Sequence, residues 1–191
     1  TEVANDWLDR IRAAAYGDQM IASVTPFSNN ATICSYPRFC ADNDLPAGWD
    51  TARLDALFAR VNAGQVVDVP TGVGFCMYIR RAALQAIGLF DVEHFGKGYG
   101  EENDFCIRAQ AAGWRNLHVL DTFVRHFGGV SFGASKSPRE RAAMETLRRL
   151  HPRYESDVLR FVQADPARLA RIAVDLARVQ DGGRPVILAV L

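Results

Sequence analysis

No apolar run in the 191-residue chain reaches the ~20 residues that a membrane-spanning helix needs. The first residues also lack the basic-then-apolar pattern of a secretory signal. Net charge is missing too, because 22 Lys and Arg balance 22 Asp and Glu. That balance removes the basic footprint of a general nucleic-acid binder, so no nucleic-acid partner is expected. Cysteine is sparse, and Cys34, Cys40, Cys76 and Cys106 form no CxxC pair. A local zinc knuckle or a disulfide framework is therefore excluded, and the four read as reduced, mostly buried thiols. What remains is 49% hydrophobic and 23% charged, a composition that excludes wholesale disorder and allows one sizeable core. Together these features predict a soluble intracellular α/β protein.

Along the chain, helical and strand-like segments alternate. Trp7, Leu8, Ile11 and Ala15 recur at helical spacing behind Asn5, a residue type that caps helices. Residues 20–25 read as a strand that Pro26 ends, followed by the turn residues Ser28-Asn29-Asn30 and an irregular loop over 34–50. A helix is predicted over 51–62, striped by Leu54, Leu57, Phe58 and Val61. Strand-like runs at 66–69 and 73–79 flank Pro70-Thr71-Gly72, and a helix over 81–87 stops at Gly88. A Gly-rich loop over 90–100 opens onto an acidic helix over 101–112, and a strand is predicted at 116–124. The Gly/Ser-rich stretch 128–137 reads as a mobile loop.

Helices are then predicted over 138–150 and 154–163, with a third behind Asp165 as cap and Pro166 in the first turn. Leu169, Ile172, Ala173, Leu176 and Val179 stripe that third helix, so this face is expected to pack on another element. After Gly182-Gly183-Arg184-Pro185, six apolar residues, 186–191, read as the first strand of a following domain or a last strand of this one. On the first reading the chain is a piece of a longer polypeptide.

The residues richest in chemistry are Gly98-Tyr99-Gly100-Glu101-Glu102-Asn103-Asp104-Phe105-Cys106-Ile107-Arg108. Two glycines permit close backbone approach, and three carboxylates crowd the first turn of the helix. At about 100° per residue, Glu101, Asp104 and Arg108 share a face while Glu102 points elsewhere. Acidic residues there complement the helix dipole, and Asp104 with Arg108 reads as an ordinary i,i+4 pair. Glu102 reads as functional, because it follows a glycine loop and Glu101 beside it would raise its pKa. Downstream, His126 ends a strand; from spacing alone it is a packing residue more readily than a metal ligand. The glycines of Pro70-Thr71-Gly72-Val73-Gly74 would let a ligand approach the backbone. Asp42-Asn43-Asp44 sits in an irregular loop and reads as loop and cap chemistry. His94, His118 and His151 have no partner visible in the sequence.

In order, the tags Pro70-Thr71-Gly72 with Arg80-Arg81, Ile87-Gly88-Leu89-Phe90-Asp91, Gly98 through Phe105 with Arg108, Ala112-Gly113-Trp114 and His126 resemble the second half of a family 2 glycosyltransferase. The resemblance runs from Thr1 to about Leu150. It implies a partial GT-A fold, a Rossmann-like mixed α/β sheet with flanking helices. Residues 1–137 would be its C-terminal, acceptor-side half, 138–182 a helical extension or linker, and 183–191 the start of a further domain. It also implies inverting transfer from a nucleotide-sugar donor to a glycan or lipid-linked acceptor, in bacterial surface polysaccharide synthesis.

In those enzymes a divalent cation, Mn²⁺ or Mg²⁺, holds the donor through an Asp-x-Asp motif. No such motif follows an apolar strand in this chain, and Thr1 would lie just after it. The resemblance makes Glu102 the general base, where the family usually has the shorter Asp. It makes Glu101 an aid to positioning and His126 a metal ligand, and it sets Thr71, Gly72 and Asp91 near the substrate cleft. These residues alone are expected to be inactive and to self-associate. The expected location is cytoplasmic, with peripheral association at the inner membrane face left open. A non-catalytic interaction module and a nucleotide-sugar hydrolase are the competing classes.

Overall fold

Two parallel strands form the centre of the sheet. The computed structural model describes residues 1–96, 99–127 and 138–182. Gly98, the stretch 128–137 and the apolar segment 186–191 lie outside the described residues. Strand β1 (Ile21–Phe27) runs parallel to β4 (Arg115–Phe123), with β2 (Val66–Asp68) antiparallel to β4 and β3 (Tyr78–Ile79) antiparallel to β1. The sheet order is β2-β4-β1-β3. This mixed sheet with flanking helices is the expected fold class.

Helix α1 (Trp7–Ala15) covers one face, burying Ile11 and Ala15 against Ile21, Val24, Leu117 and Val119. The β1–β4 register slips between Ile21 and Ser23, which lets Ile21 and Val24 reach the same face although three residues apart. Helices α3 (Arg81–Ile87) and α5 (Glu101–Ala111) cover the opposite face, where Ala22, Ala83, Phe105, Cys106 and Ala109 form one cluster. Between them lies the single turn α4 (Val92–Phe95). Helix α2 (Thr51–Val61) is capped by Asp50, which accepts from Arg53 N at 2.7 Å. Its Leu54, Leu57 and Phe58 join Phe27, Tyr36, Leu120 and Phe123 in the largest core cluster, with rings 5.0–6.4 Å apart.

The last helices are α6 (Pro138–Leu150), α7 (Tyr154–Ala164) and α8 (Arg168–Asp181). Helix α8 presents Ala170, Val174 and Ala177 to that aromatic cluster. Tyr36 and Arg178 fasten it further, because Tyr36 Oη donates to Asp175 at 2.8 Å and accepts from Arg178 at 2.9 Å. No helix of the described residues is long and apolar enough to cross a membrane.

Five local expectations fail for tertiary reasons. Asn5 does not cap α1; Asp6 precedes the helix, and Asn5 donates to Ala52 O and Asp55 Oδ2. Pro26 does not end β1, because Arg80 N bonds Ala22 O on the β3 side, and Pro26, of the same orientation, lies past the last β3 pair. Only the end of the 73–79 run pairs as strand. Asp165 does not cap α8 but accepts from Arg171, and Ala167 stands at the N-cap. The expected packing stripe of α8 is also turned outward, with Leu169 77% and Leu176 51% exposed. The small residues face the core instead.

Candidate functional site

The site grows from the segment that follows β2, where it passes Thr25 of β1, and from the start of α5. Above β1, the Thr71-Gly72-Val73 turn is held by two bonds. Gly72 N donates to Cys106 Sγ at 3.1 Å and Val73 N to Thr25 Oγ1 at 3.3 Å. A Cβ on Gly72 would lie 2.9 Å from both Met77 Sδ and Thr25 Oγ1, so only glycine fits against the strand. Burial pushes the Cys106 thiol up to about 11, which leaves it a neutral acceptor.

Glu102 faces this turn. A Cβ on Gly74 would lie 3.9 Å from its carboxylate, so the glycine leaves that oxygen room. Gly100 before it has φ +86°, and a Cβ there would strike the Phe95 ring at 2.9 Å, so glycine sets how the loop enters α5. Glu102 is half-buried and makes no ion pair among the described residues. Burial raises its pKa, two backbone N–H groups partly oppose this, and the Glu101 charge raises it further. Glu101 itself carries a buried Oε2 with no hydrogen-bond partner among the described residues.

Thr71, Gly72 and Glu102 line one cleft of about 390 Å³. The other wall comes from α6 and α7 through Met144, Tyr154 and Val158, with Glu140 at its edge. None of these four stood out in the sequence, and their apolar spacing there reads only as helix packing. Asp104 is turned away from the cleft, as the i,i+4 reading requires. Arg108 Nε lies 2.8 Å from its Oδ2, and His151 Nε2 lies 2.8 Å from its Oδ1.

Three expected residues do not line that cleft: Glu101, next to Glu102 on α5, Asp91 and His126. Asp91 caps α4 instead, accepting from His94 N at 3.0 Å and bonding His94 Nδ1 at 2.7 Å, which holds its carboxyl below the usual range. His126 stands past the end of β4, against Phe75. Its ring lies 5.6 Å from that of Phe75, and its Nδ1 lies 3.4 Å from Thr1 Oγ1. Its backbone is fixed by asparagines: His126 N donates to Asn29 Oδ1, and Asn29 and Asn30 amides donate to its carbonyl. Desolvation holds the imidazole below its ordinary range.

The donor set does not complete a metal centre. Among the described residues no group of three or more His, Cys, Asp or Glu could hold an ion, and His126 offers a single nitrogen. Asn43 of the Asp42-Asn43-Asp44 string is buried as a loop brace, donating to the carbonyls of Asn29, Arg38 and Ala41.

The family model described as "Glycosyltransferase like family 2" matches residues 47–145, just over half of the chain. The match takes in all six expected site residues, ends within α6 and leaves α7 and α8 outside. No curated protein and no solved structure matches the chain.

Proposed function

Since the chain belongs to the glycosyltransferase-like family 2, we propose that it transfers a sugar from a nucleotide-sugar donor to a hydroxyl of a glycan or lipid-linked acceptor, with inversion. The observation that carries this reading is the Glu102 carboxylate, free of any described cation, at the wall of a 390 Å³ cleft beside Gly72 and Gly74.

A carboxylate with a raised pKa is a stronger base while it stays ionised at neutral pH. Glu102 would take the acceptor's hydroxyl proton as that oxygen bonds the anomeric carbon. The bond from that carbon to the nucleotide's phosphate oxygen breaks on the opposite face, and its electron pair leaves with the phosphate. The glycines admit the acceptor close to the carboxylate. Glu101 would tune Glu102 without touching substrate. Because the described donor set is incomplete, no step is routed through a metal. We assign His126 as one ligand of a Mn²⁺ or Mg²⁺ ion whose remaining ligands would come from outside the described residues. Bacterial surface polysaccharide synthesis is the setting that the resemblance favours, and the cytoplasmic side is where nucleotide-sugar donors would be met.

The test is turnover of a panel of nucleotide-sugars by the full-length protein, with and without hydroxyl acceptors. Glu102→Gln is expected to cut kcat by ~10²–10⁴-fold and to leave donor binding near wild type. Full turnover by that variant, or donor hydrolysis that no acceptor diverts, would overturn the reading.

A further inference from the structure

Helix α7 lies beyond the span that matches the family model, yet it supplies part of the wall facing Glu102. One polar side chain ties the turn before that wall to the acidic helix. His151, in the turn between α6 and α7, bonds Asp104 Oδ1 through Nε2 at 2.8 Å. Asp104 is 2% exposed, and its other oxygen is already held by Arg108. Arg108 in turn donates to Ile87 O and Leu89 O, both at 2.9 Å. The imidazole therefore grips a carboxylate whose other partner, Arg108, is itself fixed by two carbonyls.

The backbone of His151 transmits that grip in both directions. His151 N donates to Leu147 O at the end of α6, and Tyr154 N donates to His151 O at the start of α7. Tyr154 then lines the cleft, and the Glu102 charge, after burial, helps push its phenol up to about 12. Packing fastens the rest of α7, through Val158, Phe161 and Val162 against Ile33, Cys34 and Val69, and sets Tyr154 against the Leu147 cluster that Ile107 of α5 also joins, but the turn itself is less filled. A cavity of about 220 Å³ separates the turn from α5, lined by Pro70, Ile107, Gln110, His151 and Tyr154. A hydrogen bond spans the gap that side-chain packing leaves open.

We infer that His151 is a positioning residue: by bonding Asp104 it fixes the α6–α7 turn, and with it the Tyr154 end of α7 as the acceptor-side wall of the Glu102 cleft. This rests on the glycosyltransferase reading for its effect on acceptor binding, though not for the tie itself. The charged and titratable groups facing the turn are Asp104 and Arg108 on the α5 side and Arg153 and Asp157 on its own side. Those around Glu102 are Tyr99, Glu101, Cys106, Glu140 and Tyr154.

The experiment compares His151→Ala and His151→Gln in the full-length protein. Amide hydrogen exchange over 154–164 needs no turnover and reads the tie directly. It should speed in His151→Ala and return toward wild type in His151→Gln, whose amide can still donate to Asp104. With turnover, His151→Ala should raise the acceptor KM about tenfold, the loss of one hydrogen bond to a charged group, and leave the donor KM unchanged. The acidic limb of its kcat/KM profile should move to lower pH, because a loosened α7 shields Glu102 less. Unchanged exchange over 154–164 in a folded His151→Ala protein overturns the proposal. So does a loss that strikes donor and acceptor alike without moving the limb, since that is all a structural role would give. If exchange responds while wild type turns over no nucleotide-sugar, the tie stands and the transferase reading falls.

Discussion

Glu102 and Asp104 are two residues apart on the same helix turn and live in opposite surroundings. Asp104 is buried and saturated, with Arg108 and His151 each 2.8 Å from one of its oxygens. Glu102 is half-buried beside two glycines, with Glu101 as its nearest charge and no described cation. The 100° step between helical positions makes this division possible, because it sends neighbouring acids into different environments. One carboxylate is spent on holding elements together. The other is left with its basicity raised and room beside it. A group whose charge is satisfied stabilises the fold, whereas one left unsatisfied at a cleft is available for chemistry.

That contrast breaks most visibly at Asp104. Asp104→Ala would leave two cationic or donor groups facing an empty buried site. Removing one partner of a buried pair costs ~3–5 kcal/mol. The loss should fall at the lower end, near 3 kcal/mol, because Arg108 keeps two carbonyls and its side chain is 29% exposed. Denaturant unfolding would read this as a lower midpoint with an unchanged slope. A loss below about 1 kcal/mol would show that Asp104 is not the structural member of the pair.

Glu102 should respond in the other direction. Its folded pKa is raised above the unfolded value of 4.5, so the folded state keeps a proton that the unfolded chain releases. Stability from this group is therefore present below pH 4.5 and lost as pH rises toward the folded value. Glu102→Gln cannot titrate, so the variant should melt above wild type at neutral pH, with the gap closing below pH 4.5. The gain should be smaller than the Asp104 loss. Paired melts at pH 4 and pH 7 check it, and an equal gap at both values would mean that burial of the charge carries no cost. Higher stability joined to lost turnover would mark a group kept for function at the fold's expense.

How much of this was legible depends on how far each partner lies along the chain. Helices α2, α3 and α5 and strand β4 followed from periodicity with stops at Gly88 and Gly113, all local signals. The Asp104–Arg108 pair was legible because an i,i+4 contact is written in the spacing. The cap at Asp91 had the same kind of signal, His94 three residues on, but the family pattern drew it toward the cleft instead. His151 showed nothing, since its partner is 47 residues away and only the α6–α7 turn brings them together. Tyr154 and Met144 were hidden for the same reason. On α8 the pattern itself misled: larger apolar residues marked the exposed face, while Ala170, Val174 and Ala177 face the aromatic cluster beside α2. Size at the contact is something a hydropathy stripe does not record.

The finest test of the contrast is the third carboxylate. Glu101 precedes Glu102, does not line the cleft, and acts on it through its charge. If Glu102 alone handles the proton, Glu101→Gln removes a like charge from beside the base and nothing from the reaction path. The Glu102 carboxyl then becomes easier to ionise, so the acidic limb of the kcat/KM profile should move slightly to lower pH. On the plateau, turnover should stay within about threefold of wild type, the scale of one partly screened charge pair. Stability should change least of the three variants, because the amide keeps the shape of a side chain whose buried Oε2 has no partner among the described residues. A pH–rate profile of the single and double variants reads all of this together. If Glu101→Gln abolished turnover as Glu102→Gln is expected to, the proton would be shared by the two acids, and the division between holding and reacting would run between Glu101 and Asp104 instead of isolating Glu102.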